Sequence, residues 1–302
     1  MAYNRYLLIS RENLSMEPMV YLNGQFLPKA QATISPMDRG FLFGDGIYEV
    51  IPCNNGRAIA LERHLDRLER NLSRIKLNQA IGQTDWRAVI DTLLSQSNLA
   101  SSGIYLQITR GVAERRHHTY TKDLVPTEFA YVFSTPPPPD ALKPPAQTMR
   151  LKSQLDLRWQ QCDIKVTALL GNVMHYQQAI DEGFDEALLY TQTHRVTEAA
   201  ASNVFCVIDG TIQTPTLDER LLPGVTRSLL IDILRDYSHI PVIECDLTLA
   251  DALNADEVWL TSSTREIAPV GQIDEHRIGS GDVGSVWRHA VDLFQTHKFD
   301  YP

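Results

Sequence analysis

One lysine stands in an otherwise apolar run that predicts an interior strand over residues 162–170. Lys165 lies between Ile164 and Val166 in that run. An ammonium group is costly to bury and its pKa falls on burial, which suits a lysine that reacts as the free amine and forms a Schiff base. From this segment alone, an edge-strand lysine whose stem packs and whose head reaches solvent is the competing interpretation.

A glutamate in a run of small residues is the second candidate. Glu198 precedes three alanines and the pair Ser202-Asn203, and the chain then enters an apolar stretch typical of a buried strand. A carboxylate in such surroundings favours a cationic partner, and a protonated pyridine nitrogen would serve. A structural glutamate at a helix start or a turn, beside Asn203, would explain the same pattern.

Three separate segments could bind a phosphate group. Residues 223–227, Pro-Gly-Val-Thr-Arg, open a predicted helix, whose free backbone N–H groups and dipole attract an anion. Residues 261–264 add hydroxyl donors at the end of a predicted strand, and Arg67 offers a guanidinium for bidentate contact. Each segment by itself is common in proteins, and the glycine motifs of P-loop and dinucleotide-binding proteins are absent.

The composition narrows the class of protein. The chain has 302 residues, with 28 Lys plus Arg and 37 Asp plus Glu, so its formal net charge is −9. This balance argues against nucleic acid and against an anionic membrane surface as partners. No stretch is apolar over the ~20 residues that a membrane span needs, and the N-terminus has no secretory signal pattern. We therefore expect a cytoplasmic enzyme or small-molecule-binding protein whose four cysteines are reduced.

A proline-rich segment divides the chain. Residues 134–145 read STPPPPDALKPP, with six prolines that exclude a helix or a central strand and favour a stiff connector. We therefore predict an N-terminal domain over residues 1–134, a linker over 135–145 and a C-terminal domain over 146–302.

The N-terminal part predicts an antiparallel sheet with two helices, an α+β arrangement. Asn23-Gly24 and Asn55-Gly56 are signals for hairpin turns. Apolar residues at three- and four-residue steps predict a helix over residues 61–77 and another around residues 90–94. The remaining strands expected here are 103–111 and 127–134.

The C-terminal part predicts strands that alternate with three helices. Apolar runs bounded by turn residues define the strands, and a turn at Asp209-Gly210 joins two of them. The strands expected are 149–157, 162–170, 186–190, 196–208, 211–215, 241–245 and 256–263. The helices expected are 171–183, 223–238 and 282–299.

Taken in order, these segments resemble the class IV aminotransferases, the fold-type IV enzymes that use pyridoxal phosphate. The resemblance runs from about Met19 to about Phe294 and includes the motif DRGFLFGDGIYE at residues 38–49. It implies an α+β or α/β fold with two domains, a smaller N-terminal α/β domain and a larger C-terminal pseudo-barrel domain that binds pyridoxal phosphate. It also implies a homodimer and no metal.

The resemblance implies a role for each candidate. Lys165 matches the lysine that holds pyridoxal phosphate as a Schiff base and then moves the proton between Cα and C4′. Glu198 matches the carboxylate that keeps the pyridine nitrogen protonated. The other cofactor-binding positions implied are Arg67, Ser202, Asn203, Leu222, Gly224, Val225, Thr226, Ser262 and Ser263.

Within the family, the segment after the predicted strand 103–111 resembles that of the D-amino acid transaminases. Arg115 and His117 match their Arg-x-His signature, and with Tyr48 they imply a trap for the substrate α-carboxylate. The reaction implied is reversible amino transfer between a D-amino acid, D-alanine above all, and a 2-oxo acid such as 2-oxoglutarate. The competing interpretation of this basic loop is a solvated flap.

Two departures leave the substrate range open. Arg116 stands where the family often has a small residue, and its positive charge could favour acidic substrates or simply face solvent. Residues 199–201 are alanines where D-specific members are richer in serine. The alternatives are therefore a branched-chain L-amino acid transaminase, an (R)-amine transaminase, an aminodeoxychorismate lyase and a non-enzymatic binding protein.

Overall fold

In the computed structural model, which describes residues 18–145 and 147–301, the N-terminal part folds into an antiparallel sheet. Its strands are β1 (Met19–Leu22), β2 (Gln25–Pro28), β3 (Gly46–Asn54), β4 (Arg57–Ala58), β5 (Ser101–Thr109) and β6 (Thr127–Ser134). They lie in the order β2-β1-β6-β5-β3-β4. Both predicted hairpins form, because Asn23-Gly24 and Asn55-Gly56 adopt the positive φ values that such turns need.

Three helices accompany this sheet: α1 (Arg39–Phe43), α2 (Leu61–Arg74) and α3 (Trp86–Ser95). Helices α2 and α3 correspond to the two predicted helices, and α1 was not predicted. Leu65, Leu68 and Leu72 of α2 are buried at the predicted steps of three and four residues. With apolar residues of β3, β5 and α3 they form one hydrophobic core.

The C-terminal part forms a second sheet, which mixes parallel and antiparallel pairs. Its strands are β7 (Met149–Leu155), β8 (Glu186–Tyr190), β9 (Val196–Ala199), β10 (Asn203–Ile208), β11 (Thr211–Pro215), β12 (Val242–Cys245), β13 (Glu257–Ser262), β14 (Glu266–Ile273) and β15 (His276–Arg277). They lie in the order β12-β11-β10-β13-β14-β7-β8-β9, with β15 beside β14. The last strand, β9, returns to contact β10, so the sheet curves back on itself.

Helices cover this second sheet. They are α4 (Leu170–Asp181), α5 (Val225–Tyr237), α6 (Leu249–Leu253) and α7 (Ser285–His297). Trp287 of α7 is fully buried against α5 and against Phe205 and Trp259 of the sheet, and this cluster forms the centre of the C-terminal core. The three helices predicted for this half correspond to α4, α5 and α7.

The strand predicted over residues 162–170 is wrong. This segment is irregular and contacts the N-terminal sheet through an isolated bridge between Val166 and Ile47. Its apolar pattern arises because Ile164 and Val166 pack into the N-terminal core. A connecting segment that anchors its side chains in a neighbouring core has the same local composition as a buried strand.

Other details also differ from the prediction, among them α1, α6 and β15, which were not predicted. Residues 196–208 form the separate strands β9 and β10, because the chain turns at residues 200–202. Strand β14 has no counterpart among the predicted strands, because Glu266, Pro269 and Gly271 interrupt its apolar pattern.

The structure also bears on the expectations of reduced cysteines and of no membrane span. All four cysteines are free, three of them buried, while Cys245 is only half-buried. Among the residues described, no helix has the length and apolar character needed to cross a bilayer.

Replacing Trp287 by alanine tests the C-terminal core. Trp287 is fully buried, so Trp287→Ala is expected to lower the free energy of unfolding by about 3–5 kcal/mol. The matched control is Leu142→Ala, because Leu142 is 90% exposed and its loss is expected to change stability by less than about 0.5 kcal/mol. Urea unfolding measures both variants, and equal effects at the two positions would contradict this assignment of the core.

Candidate functional site

A cavity of about 370 Å³ lies where the two halves of the chain meet. Its volume is in the range of sites for small ligands and cofactors. Twelve of the fourteen predicted site residues line it: Tyr48, Arg67, Lys165, Glu198, Ser202, Asn203, Leu222, Gly224, Val225, Thr226, Ser262 and Ser263. Arg115 and His117 do not.

Lys165 is held at this boundary by the N-terminal sheet. Its carbonyl accepts a hydrogen bond from the backbone N–H of Tyr48 at 3.1 Å, and Thr167 N–H donates to the carbonyl of Gly46 at 3.0 Å. The Lys165 side chain projects into the cavity, with Nζ 4.2 Å from the centroid of the Tyr48 ring. The structure therefore contradicts the edge-strand interpretation of this lysine.

Glu198 presents a buried carboxylate to the same cavity. One oxygen, Oε1, accepts from Arg158 Nη1 at 2.6 Å. The other, Oε2, accepts from the backbone N–H of Leu222 at 3.0 Å and from Asn203 Nδ2 at 3.2 Å. Burial raises the pKa of Glu198, while the Arg158 guanidinium opposes that shift. The result is a carboxylate fixed by three donors on the cavity wall.

Arg158 is a cavity residue to which the sequence reasoning assigned no role. Besides its contact with Glu198, its Nε and Nη2 donate to the Asp156 carboxylate at 3.0 and 2.8 Å. Thr197 Oγ1 also donates to Asp156, at 3.0 Å. The signal in the sequence is slight, an arginine two residues after an aspartate, and the contact with Glu198 spans 40 residues.

The start of α5 supplies an anion-binding end to the cavity. No side chain caps the first turn, so its backbone N–H groups are available to a ligand. Gly224 is required there, because a Cβ atom would lie 2.0 Å from Asn203 Oδ1. On the neighbouring wall, Thr261 Oγ1 is buried without a hydrogen-bond partner. These donors fit the phosphate group implied by the sequence.

Arg67 approaches this end from the N-terminal half. Its Nη1 donates to the carbonyl of Pro223 at 2.9 Å, just before α5. Its Nε and Nη2 bind the two oxygens of Glu49 at 2.8 and 2.7 Å, and His64 Nδ1 contacts the same carboxylate at 2.9 Å. Burial acts to raise the pKa of Glu49, but the Arg67 guanidinium outweighs it and holds that pKa far below its usual range. A glutamate inside the apolar strand β3 was the available signal for this pair.

A second buried carboxylate supports the turn at residues 200–202. Glu186 accepts from the backbone N–H of Ala201 at 2.9 Å, and its other oxygen contacts Ser202 Oγ and forms an ion pair with Arg265. Arg265 Nη2 also donates to Tyr176 Oη at 2.8 Å. The Glu186 carboxylate binds the backbone N–H of Ala201, so this contact with the turn needs no serine hydroxyl at residues 199–201.

Arg115 and His117 lie on an exposed loop between β5 and β6, at residues 112–125, which we term the trap loop. Both side chains are exposed, and neither lines the cavity of its own chain. His117 Nδ1 contacts Thr119 Oγ1 at 2.7 Å. Arg116 lies over the Phe43 ring, 4.9 Å from its centroid, so its side chain contacts α1.

The part of the chain that the structure describes also bears on metals. Within residues 18–145 and 147–301, no group of three or more His, Cys, Asp or Glu side chains is arranged to hold a metal ion.

Comparison with known sequences finds that the chain is similar to one protein family. The family model of class IV amino-transferases covers residues 46–273, a range that includes β3, the Lys165 segment and the start of α5. The chain is 36% identical over 278 residues to a D-alanine aminotransferase of Staphylococcus haemolyticus, spanning 92% of this chain and 97% of that protein. It is 35% identical over 275 residues to a D-alanine aminotransferase of Listeria innocua, spanning 91% of this chain and 94% of that protein.

Comparison with solved structures confirms the expected fold. A branched-chain amino acid aminotransferase of Escherichia coli superposes with a TM-score of 0.81 at 20% identity and covers 94% of this chain and 95% of its own. A hypothetical aminotransferase from Mycobacterium tuberculosis, in a PLP-bound form, superposes with a TM-score of 0.78 at 18% identity and covers 93% and 98%. At these identities the similarity concerns the fold alone.

Replacing Glu49 by glutamine tests the buried pair beside the cavity. Glu49→Gln leaves the Arg67 charge buried without its counter-ion, which is expected to cost about 3–5 kcal/mol of stability at pH 7. The folded-state pKa of Glu49 is lowered from 4.5, so its contribution is complete above that pH and is lost as the pH falls. The stability difference between the two proteins should therefore narrow below pH 4.5 by up to about 1.4 kcal/mol per pH unit.

Urea unfolding between pH 7 and pH 3 measures this difference. Glu62→Gln is the control, because Glu62 pairs with Arg87 at the surface and an exposed pair contributes at most about 1 kcal/mol. A penalty for Glu49→Gln that stays constant across the range would contradict the lowered pKa.

Proposed function

The chain belongs to the class IV aminotransferases, and from this we propose that it is a D-amino acid transaminase. The reaction proposed is reversible amino transfer between a D-amino acid, D-alanine in the first place, and a 2-oxo acid such as 2-oxoglutarate. The observation that carries this proposal is the identity of 34–36% to D-alanine aminotransferases along about nine-tenths of the chain. The Arg115-x-His117 sequence supports the same substrate class.

Pyridoxal phosphate is the cofactor, and the described residues fit it. The phosphate group matches the uncapped start of α5, the unpartnered Thr261 hydroxyl and the guanidinium of Arg67. Glu198, which lines the same cavity, offers a carboxylate to the ring nitrogen. When bound, the cofactor supplies a carbonyl carbon for the amino group and a ring that accepts the electron pair of the broken Cα–H bond.

We assign the proton transfer to Lys165. Its Nζ lies in the cavity beside the Tyr48 ring, and its backbone is fixed by β3, so the amine has a defined range of positions. With the cofactor bound, Nζ as the free amine would take the proton from the substrate Cα and deliver it to C4′ of the cofactor. With the cofactor bound, Glu198 would keep a proton on the ring nitrogen and so keep the ring electron-poor.

We further propose that the carboxylate trap of each site comes from a second copy of the chain. Arg115 and His117 are exposed and do not line the cavity of their own chain, whereas Tyr48 does. Leu170, Val173 and Met174, at the start of α4 beside the cavity, are 72%, 58% and 64% exposed. An apolar surface of this kind next to a site supports a homodimer that covers it.

The proposal also includes a cellular location and a division into domains. We propose a cytoplasmic location, which the four free cysteines support. We also propose the division into domains at residues 1–134 and 146–302, joined by the proline-rich linker 135–145, because the two sheets use separate stretches of chain.

A half-reaction without acceptor tests the substrate class. The cofactor-loaded protein is mixed with D-alanine, and we expect its visible absorption band to bleach, because the amino group is transferred and the oxo acid leaves. L-Leucine is expected to bleach it far more slowly. Lys165→Ala is the control and should slow the D-alanine reaction by at least about 100-fold, since it removes the proton-transfer group. Rapid bleaching by L-leucine and not by D-alanine would refute the proposal.

Mixed dimers test the shared site. Arg115→Ala and Lys165→Ala homodimers should both be poorly active with D-alanine. A purified heterodimer of one Arg115→Ala chain and one Lys165→Ala chain contains one intact site if the trap acts across the dimer. It should therefore regain about half of the wild-type activity.

The reciprocal heterodimer is the matched control. It pairs a wild-type chain with a chain that carries both substitutions, so a trap acting across the dimer leaves neither site intact. Activity in the control and none in the first heterodimer would show that Arg115 serves its own chain, against the proposal.

A further inference from the structure

One buried arginine holds the trap loop by its backbone. Arg39 Nη1 donates to the carbonyl of His117 at 2.7 Å and of Thr119 at 3.4 Å, and Nη2 donates to the carbonyl of His118 at 3.1 Å. Arg39 is only 4% exposed. Three successive carbonyls of an otherwise exposed loop therefore converge on one guanidinium.

A carboxylate fixes that guanidinium in turn. Asp45 Oδ2 accepts from Arg39 Nε at 2.8 Å and from Arg110 Nε at 2.9 Å. Arg110 is also buried and contacts the trap loop, since its guanidinium lies 3.7 Å from the centroid of the Tyr120 ring. Asp45 thus orients two arginines, and both of them hold the loop that carries Arg115 and His117.

The same turn contacts the segment of the reactive lysine. Gly44 and Gly46 flank Asp45, and Thr167 Oγ1 donates to the Gly44 carbonyl at 2.9 Å. Thr167 N–H donates to the Gly46 carbonyl at 3.0 Å, two residues after Lys165. A Cβ atom at Gly46 would lie 2.9 Å from the Ile108 carbonyl, so the close approach requires glycine. The turn at residues 44–46 therefore contacts the Lys165 segment and also orients the two arginines that hold the trap loop.

We propose that Arg39, oriented by Asp45, is a positioning residue for recognition of the substrate carboxylate. It does not line the cavity, and it acts by holding the backbone of His117–Thr119 and thereby the directions of the Arg115 and His117 side chains. This inference rests on the proposed function, because it presupposes that Arg115 and His117 bind the carboxylate.

The geometry calls for arginine and not merely for a positive charge. A planar guanidinium donates in several fixed directions at once, here to three carbonyls and one carboxylate, whereas a lysine ammonium is a point donor. With lysine at this position the loop loses its fixed backbone and must be ordered each time substrate binds. The effect should therefore fall on substrate affinity and not on the cofactor.

Arg39→Lys in the cofactor-loaded dimer is the test. We expect kcat/KM for D-alanine to fall by at least about 10-fold, mainly through a higher KM, because the trap is misplaced. Amide hydrogen exchange in residues 113–121 should increase, while the affinity for pyridoxal phosphate and the visible spectrum stay as in the wild type. Arg63→Lys is the matched control, because Arg63 forms an ion pair with Asp232 and contacts Ser228. It should match the wild type in all four measurements.

A double-substitution cycle separates positioning from a general structural effect. In an Arg115→Ala background the loop no longer carries the guanidinium that Arg39 positions, so Arg39→Lys should lower kcat/KM by less than about 3-fold further. If Arg39→Lys does not fold, Asp45→Asn is the second variant, since it removes the charge that orients Arg39 and should act in the same direction.

Three results would overturn the inference: wild-type kinetics in Arg39→Lys, a full additional loss in the Arg115→Ala background, or a loss of cofactor affinity that accounts for the lower rate. Failure of the proposed function has a different signature. In that case the wild type is inactive with D-alanine and Arg115→Ala changes nothing, while the exchange measurement still reports whether Arg39 orders the loop.

Discussion

Main-chain pairing between β3 and the Lys165 segment is the constraint on which the site depends. The two hydrogen bonds join Tyr48 to Lys165 and Thr167 to Gly46, so a lysine from the C-terminal half is held by a strand of the N-terminal half. Ile164 and Val166 secure the same segment by packing into the N-terminal core. The backbone of Lys165 is bonded to β3, and the side chains of the residues before and after it are buried. Its side-chain amine can therefore extend into the cavity. The remaining walls are built around that position.

Ion pairs with buried carboxylates give those walls their shape. Arg67 pairs with Glu49, Arg158 with Glu198 and Arg265 with Glu186, and each pair joins segments that are distant in the sequence. A buried charge without a partner would be costly, so each pair specifies its own geometry as well as compensating its charge. The formal charge of −9 describes the whole chain, whereas Arg67 and Lys165 on the cavity wall provide local positive charge suited to a phosphate group. Net charge argues against polyanionic partners, but it carries no information about this local site.

Most helices and strands could be predicted because their signals are local. The leucines of α2 recur at helical steps, and Asn23-Gly24 and Asn55-Gly56 turn their hairpins by their own conformational preferences. Predictions failed where contacts with residues distant in the sequence determine the local conformation. Residues 162–170 look like a strand but are ordered by the N-terminal core, and β14 forms despite Pro269 because β13 and β7 pair with it. Tertiary contacts override local propensity at both places.

The sequence by itself determined the chemistry of the site. The motifs around Lys165, Glu198, Arg67 and the start of α5 follow the order found in class IV aminotransferases, and this resemblance indicated a pyridoxal phosphate aminotransferase. Only the tertiary structure decided how those groups are held: Glu49 on Arg67, Arg158 on Glu198, and Arg39 on the carbonyls of the trap loop. It also separated Arg115 and His117 from the cavity of their own chain. The physical reason is that an ion pair or a carbonyl contact across 18 to 78 residues leaves no periodic trace in the chain. Such contacts exist only once the two sheets have brought their residues together.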